Sequence, residues 1–394
     1  MDGHSGTARR PIDVDSGRAW WVAAACAAAN GTAFGIAYTF GNFFDAMSEE
    51  FNAARGPTAI IFALTLLFFF GGGAIAGPLG DRFGAQTMFA VGATIFVTGL
   101  AVTSRVENLY LGYLTYGIGV GVGAGTFIAP LSAQVGRLFE RSRAVALATL
   151  AAGNGVGTLV MSPLSAALIE SRGWRSAYLW LAIIAGLVFA ASLPLIGSRS
   201  RVPAPIAQDS SVRLFDSLEY RSLFLSSLLM SVGLYVAFAF IVPFAKDAGV
   251  TAQAAARLIA IVGVTSIVGR LGLSTLTARL GPGRVFLASV ALQPVGYVVW
   301  LFADGTYWML VVFCAVLGVA YGGFVAVGPE LMIVTHGTAG LGRRMGVLYA
   351  AFGIGGLIGP PLAGWLPGRV SAISVVIAIV CAAVVVAIPA ARAA

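Results

Sequence analysis

Residues 258–281 read LIAIVGVTSIVGRLGLSTLTARLG, an apolar run long enough to cross a bilayer, with Arg270 set deep inside it. At 1.5 Å per residue, about 20 apolar residues span the hydrocarbon core. A cation at that depth costs roughly 2.5–3.5 kcal/mol on insertion scales, so it persists facing a protein interior, a water-filled cavity or an anion. No other cation in the chain is so placed. The planar guanidinium fork also matches a carboxylate, donating two parallel hydrogen bonds. The stretch therefore predicts a membrane carrier whose anionic substrate meets Arg270.

Composition agrees with that reading. Of 394 residues, 58% are hydrophobic and only 10% charged, 51 are glycine, and mean hydropathy is +0.90. These values lie outside the soluble globular range and describe a helical membrane protein lodged in lipid, with no room for a separate catalytic domain. The net charge of +8 comes from arginines at helix ends, not from one basic face, so no nucleic-acid partner is expected. Cys26, Cys314 and Cys381 fall at unrelated positions within predicted spans and read as packing residues; neither a metal nor another cofactor is expected.

Twelve spans are predicted, from Trp20–Phe44 to Val370–Pro389, giving an all-α fold of two pseudo-symmetric six-helix halves. The expected division is a polar tail over 1–19, an N-terminal half over 20–197, a linker over 198–219 containing Pro203 and Pro205, and a C-terminal half over 220–394. With the N-terminus inside, 16 of the 24 basic residues fall on inner segments and 7 on outer ones, which predicts cytoplasmic termini. The halves also echo each other. Arg82–Gly84 matches Arg279–Gly281, Pro130 matches Pro329, and Gly155-Val156-Gly157 before Pro163 matches Gly353-Ile354-Gly355 before Pro361, at offsets of 197 to 199 positions. A parallel duplication about an axis along the membrane normal follows, with substrate expected between the halves near mid-membrane.

Gly77-Pro78-Leu79-Gly80-Asp81-Arg82-Phe83-Gly84, between spans two and three, closely resembles the signature loop of the major facilitator superfamily. That resemblance covers essentially the whole chain and implies the major facilitator fold, in which the acidic and basic loop residues, here Asp81 and Arg82, help latch the cytoplasmic side. The run Gly117, Gly121 and Gly125 lies inside a span and reads as helix packing, since a phosphate-cradling loop needs a preceding strand. Gly328-Pro329-Glu330-Leu331-Met332 and Gly359-Pro360-Pro361-Leu362-Ala363-Gly364 resemble spans ten and eleven of the monocarboxylate porter family. Members of that family also carry an arginine in span eight, where Arg270 falls, and span one, with Gly35, Tyr38, Phe40 and Phe43-Phe44, is similar too. Animal members pair that arginine with an aspartate one turn earlier and use a span-one lysine for proton coupling. This chain has Ser266 and a position near Tyr38 instead, so their proton site does not carry over.

Besides Arg270, the candidate substrate contacts are Tyr321, Asn154, Asn30 and Tyr38, polar groups that are costly to leave facing lipid; either asparagine reads equally as an interhelical hydrogen bond. Candidates for the cytoplasmic latch or for coupling are Asp81, Arg82, Glu330 and Arg343. Glu330 reads as an inner-end pair with Arg343 or Arg344, or as a proton-coupling group, and His336 reads as solvated. One buried cation argues for one carboxylate, because Tyr349 and Phe352 of span eleven are uncharged. The expectation is a secondary active transporter of a lactate- or pyruvate-like acid working by alternating access in a bacterial cytoplasmic membrane. Its partners would be the organic anion, the lipid bilayer and a proton as candidate coupling ion; an accessory subunit is left open. Export of larger hydrophobic compounds and a non-transporting receptor are the alternatives, and no enzymatic constellation can be assembled.

Overall fold

The structure, a computed structural model, describes residues 13–196, 215–337 and 341–393. Most of the predicted tail and linker lies outside the described residues, as do the side chains of Asp81 and Arg343. Eleven helices among the described residues are long and apolar enough to cross a membrane. The longest, Arg143–Ile196, is divided at Gly173, whose φ of 77° and ψ of 160° are not helical, which brings the spans to twelve.

They are α1 (Gly17–Glu50), α2 (Arg55–Phe83), α3 (Ala85–Thr103), α4 (Leu109–Leu138), α5 (143–172), α6 (174–196), α7 (Leu218–Asp247), α8 (Ala252–Leu280), α9 (Pro282–Leu301), α10 (Tyr307–His336), α11 (Leu341–Trp365) and α12 (Arg369–Arg392). Lipid offers no hydrogen bonds, so each span satisfies its backbone internally, and α4, α7, α10 and α11, among the helices with an internal proline, remain continuous. Caps mark the water boundary: the Ser217 hydroxyl accepts from Tyr220 N–H at 3.2 Å, and Asn108 Oδ1 accepts from Leu111 N–H at 3.0 Å. Two local departures were not foreseen. α1 is interrupted at Thr39, and α4 contains a π-helical stretch, Tyr113–Val120.

The duplication is visible in backbone geometry. Gly84 joins α2 to α3 at φ 85°, ψ 150°, and Gly281, 197 positions on, joins α8 to α9 at φ 82°, ψ 150°. A side chain at that φ is strained, so both copies of the turn hold glycine. Small residues also set helix spacing: a Cβ on Gly121 or Gly125 of α4 would lie 2.7 Å from Thr65 O or 2.4 Å from Phe68 O of α2. Cys26 and Cys314 are buried, whereas Cys381 faces outward from α12.

The halves meet along α2 with α11, α5 with α8, and the second part of α1 with α7. At the end opposite the termini, Lys246 Nζ lies 2.6 Å from Asp45 Oδ2, Arg55 pairs with Asp247, and Ser162 Oγ donates to Ala256 O at 2.8 Å. Rings interlock there too, with Tyr38 and Phe238 centroids 4.4 Å apart and Phe44 and Phe240 5.1 Å apart. At the end carrying the termini, the corresponding contacts seen among the described residues stay within one half. Asp15 accepts from backbone N–H groups of Glu140, Arg141 and Ser142, Tyr220 Oη donates to Arg344 O at 2.9 Å, and Ser217 Oγ lies 2.8 Å from His336 Nε2. The molecule is therefore sealed at the end remote from its termini.

Candidate functional site

Arg270 projects from α8 into the seam between the halves and is 7% exposed despite its charge. Contacts from both halves hold the guanidinium there. Nη1 donates to the Ala151 carbonyl of α5 in the other half, and Cζ stands 5.3 Å from the centre of the Tyr321 ring on α10. Cation–π attraction contributes about 0.5–2 kcal/mol at such sites. One turn earlier on α8, the Ser266 hydroxyl donates to Gly263 O at 2.8 Å, so it supplies no counter-charge to the arginine.

A small void of about 10 Å³, room for about one water, lies beside this group, lined by Tyr38, Asn154, Gly155, Thr158, Phe238, Val262, Gly263, Arg270 and Tyr321. Four of the five candidates read from the sequence thus share one wall, contributed by α1, α5, α8 and α10. The backbones come this close because Gly155 and Gly263 face each other: a Cβ on Gly263 would lie 2.2 Å from Thr158 Oγ1 and 2.7 Å from Gly155 O. Asn30 stands behind that wall, where its Nδ2 donates to Asn154 Oδ1 at 2.7 Å, so the two asparagines act as a unit that fixes how Asn154 presents its amide.

Tyr235 of α7 was missed from the sequence. Its hydroxyl and those of Tyr38 and Tyr321 lie within electrostatic reach of one another, and neither Tyr38 Oη nor Tyr235 Oη completes a hydrogen bond of full geometry. Tyr349 of α11 is likewise within reach of Arg270 and Tyr321. The repeat supplies the overlooked signal: Tyr235 follows Tyr38 by 197 positions, so the duplicated tyrosines meet across the pseudo-symmetry axis with rings 6.1 Å apart. Arg270 has no such counterpart, since 197 positions earlier stands Gly73.

The remaining candidates lie elsewhere. Arg82 is exposed at the end carrying the termini, its Cζ 5.3 Å from the Phe83 ring. Glu330 is exposed on α10 and makes no ion pair among the described residues; Arg344 instead donates to His336 O at 3.1 Å. The expected Glu330–Arg344 pair is thus replaced by a cation at a helix C-terminus, where free carbonyls draw positive charge. His336 is not simply solvated, because it bridges Ser217 Oγ and Thr335 Oγ1, the latter at 2.6 Å, and packs edge-on against Tyr220.

Two six-helix bundles with a buried cation and a polar cluster at their seam have the architecture of a membrane transporter. The family model for the Major Facilitator Superfamily matches residues 21–282 and 223–393, and the chain belongs to that superfamily. It is 30% identical over 382 residues to monocarboxylate transporter 3 of Rattus norvegicus, an alignment covering 92% of this chain and 77% of the relative. It is 25% identical over 362 residues to the aspyridones efflux protein apdF of Emericella nidulans, covering 90% and 73%. In fold it resembles the crystal structure of a bacterial homolog to the human lysosomal transporter Spinster in an inward-facing, unoccupied conformation, with TM-score 0.74, 15% identity, and coverage of 96% of this chain and 98% of that one.

Proposed function

We propose that this transporter is a secondary active carrier of a small monocarboxylate, such as a lactate- or pyruvate-like acid, moved across the cytoplasmic membrane of a bacterium by alternating access. The observation that carries the reading is the buried guanidinium of Arg270 on the wall of the void between the halves, backed by Tyr321 and opposite Asn154 and Tyr38. A carboxylate entering there would exchange water for a charge-assisted bidentate contact, and tyrosine and asparagine groups are available for its remaining oxygens. With the termini cytoplasmic, as the arginine distribution supports, the conformer sealed at the opposite end is the inward-open one. Asp81, Arg82, Glu330 and Arg343 would then serve the latch on the cytoplasmic side when that side closes.

Proton symport fits this site if the proton travels on the substrate, because no carboxylate is among the residues lining the void and Glu330 lies away from it, exposed. A second reading, export of larger compounds, is favoured by the similarity to an efflux protein. The test is uptake of short monocarboxylates into proteoliposomes across imposed pH gradients, by the wild type and by Arg270→Lys and Arg270→Gln. Losing one paired, charge-assisted interaction corresponds to roughly 2–5 kcal/mol, so both variants should lose at least tenfold in affinity while remaining monodisperse. Normal transport by the variants would reject the carboxylate anchor and bring the exporter reading forward.

A further inference from the structure

Tyr349 of α11 is 41% exposed, yet it lies within electrostatic reach of the buried Arg270 and Tyr321. Its exposure is not to lipid. The outward stripe of α11 is formed by Ile354, Ile358 and Trp365, all exposed, and at about 100° per residue Tyr349 stands about 140–180° around the helix from each of them. It belongs to the opposite face, the one that carries Phe352 and Gly356. Along that face burial falls stepwise toward the end carrying the termini. A Cβ on Gly356 would lie 2.7 Å from the Leu66 side chain of α2 and 3.1 Å from the Tyr235 ring of α7. One turn on, Phe352 is 5% exposed, its ring 5.7 Å from that of Phe70 on α2. Tyr349 follows three positions later and is open, its ring 6.1 Å from that of Phe352. Among the described residues Phe70–Phe352 is the one ring contact between α2 and α11, and Tyr349 is the first side chain beyond it on the open side. Its depth matches the site. Tyr349 stands eight positions from the start of α11 and Arg270 ten from the end of α8, about 12 and 15 Å from the same side of the membrane.

Resting on the reading of Arg270 as carboxylate anchor, we infer that Tyr349 is a substrate contact used from one face only, its hydroxyl donating to the acid as it enters from, or leaves toward, the end carrying the termini. An acid held by Arg270 alone must regain its hydration in one step when it leaves. A phenol O–H at the edge of the open mouth takes one oxygen while the guanidinium still holds the other, so the charge is never without a donor. The contact exists only while that end is open. Closure brings α2 and α11 together beyond Phe352 and takes Tyr349 out of the path, so an acid arriving from the opposite face meets Arg270 without it.

The experiment measures uptake of radiolabelled pyruvate into right-side-out and inside-out membrane vesicles, which present opposite faces of the carrier. It compares the wild type with Tyr349→Phe, Tyr349→Gln and Arg270→Gln. Tyr349→Phe removes the hydroxyl and keeps the ring. It should raise half-saturation about three- to tenfold at the face carrying the termini and leave it within about twofold at the other, which also reports that the variant is folded. Tyr349→Gln, which returns a donor, should recover part of that loss. Arg270→Gln should raise half-saturation at both faces. With Arg270 still required, an equal shift at both faces, a shift confined to the opposite face, no shift, or loss of uptake from both refutes the one-sided contact and leaves the anchor standing. If Arg270→Gln shifts neither face, or the wild type takes up no pyruvate, the anchor falls and the contact with it.

Discussion

The pair Lys246–Asp45 fastens α7 to α1 across the two halves at the sealed end, and it exists only while that end is closed. Its N–O separation is 2.6 Å, with the lysine side chain 34% and the aspartate 19% exposed. Charges about 4 Å apart attract by about 4 kcal/mol at an effective dielectric of 20, but side-chain ordering and partial desolvation consume most of that, leaving about 1 kcal/mol net. The neighbouring Arg55–Asp247 pair is half exposed on both sides, at 51% and 55%, and adds less. Removing the first pair should therefore shift the equilibrium between closed and open outer ends by about fivefold toward open. Spin labels at Glu107→Cys and Phe302→Cys, with Cys26, Cys314 and Cys381 replaced, report the distance across that end. Lys246→Met and Asp45→Asn should each raise the long-distance population, their combination should do no more than either, and the swapped pair Lys246→Asp with Asp45→Lys should restore closure. Additive shifts, or restoration absent from the swap, would refute the clasp and leave the closure to the Arg55–Asp247 pair, the aromatic interlock and the Ser162–Ala256 bond.

Three further expectations follow from particular contacts. Gly263→Ala places a methyl where Thr158 Oγ1 and Gly155 O now stand, so the α5–α8 seam must spread; overpacking of this kind costs about 1–3 kcal/mol and should reduce the closed population in the same distance assay. Asn30→Ala should free Asn154 from the 2.7 Å bond that orients it and raise the substrate half-saturation about two- to tenfold, with Asn30→Gln recovering part of the loss, as measured by uptake. Asp15, outside the spans, has its carboxyl held below the usual value, first by the Arg141 N–H, then by those of Ser142 and Glu140. A depressed folded value means that its contribution is present above about pH 4 and lost as pH falls through the lowered value. Asp15→Asn should loosen the segment before α1 in hydrogen exchange at pH 7, and the wild type should match the variant only in strong acid.

Much of the site was legible as single residues and little of it as a constellation. Arg270 announced itself because charge is rare in lipid-spanning sequence, and Tyr321, Asn154 and Tyr38 by the same scarcity. Their convergence on one void was not readable, because helices apolar on all faces carry no stripe from which to infer rotation, and each residue step turns a side chain by about 100°. Asn30 and Asn154, each readable from sequence as a ligand or as an interhelical hydrogen bond, form one hydrogen-bonded pair in the structure. Tyr235 was signalled only by its 197-residue offset from Tyr38.

The sequence by itself determined the solvent, the number of spans, the duplication and the depth of the one mid-membrane arginine, since each follows from the bilayer's demand for long apolar runs and its penalty on charge. The tertiary structure alone decided which faces meet, which end is sealed, that α1 breaks at Thr39, and which buried polar atoms are satisfied by protein. These depend on contacts between residues a hundred or more positions apart, whose register is set by glycine-mediated packing between helices and leaves no trace in local composition.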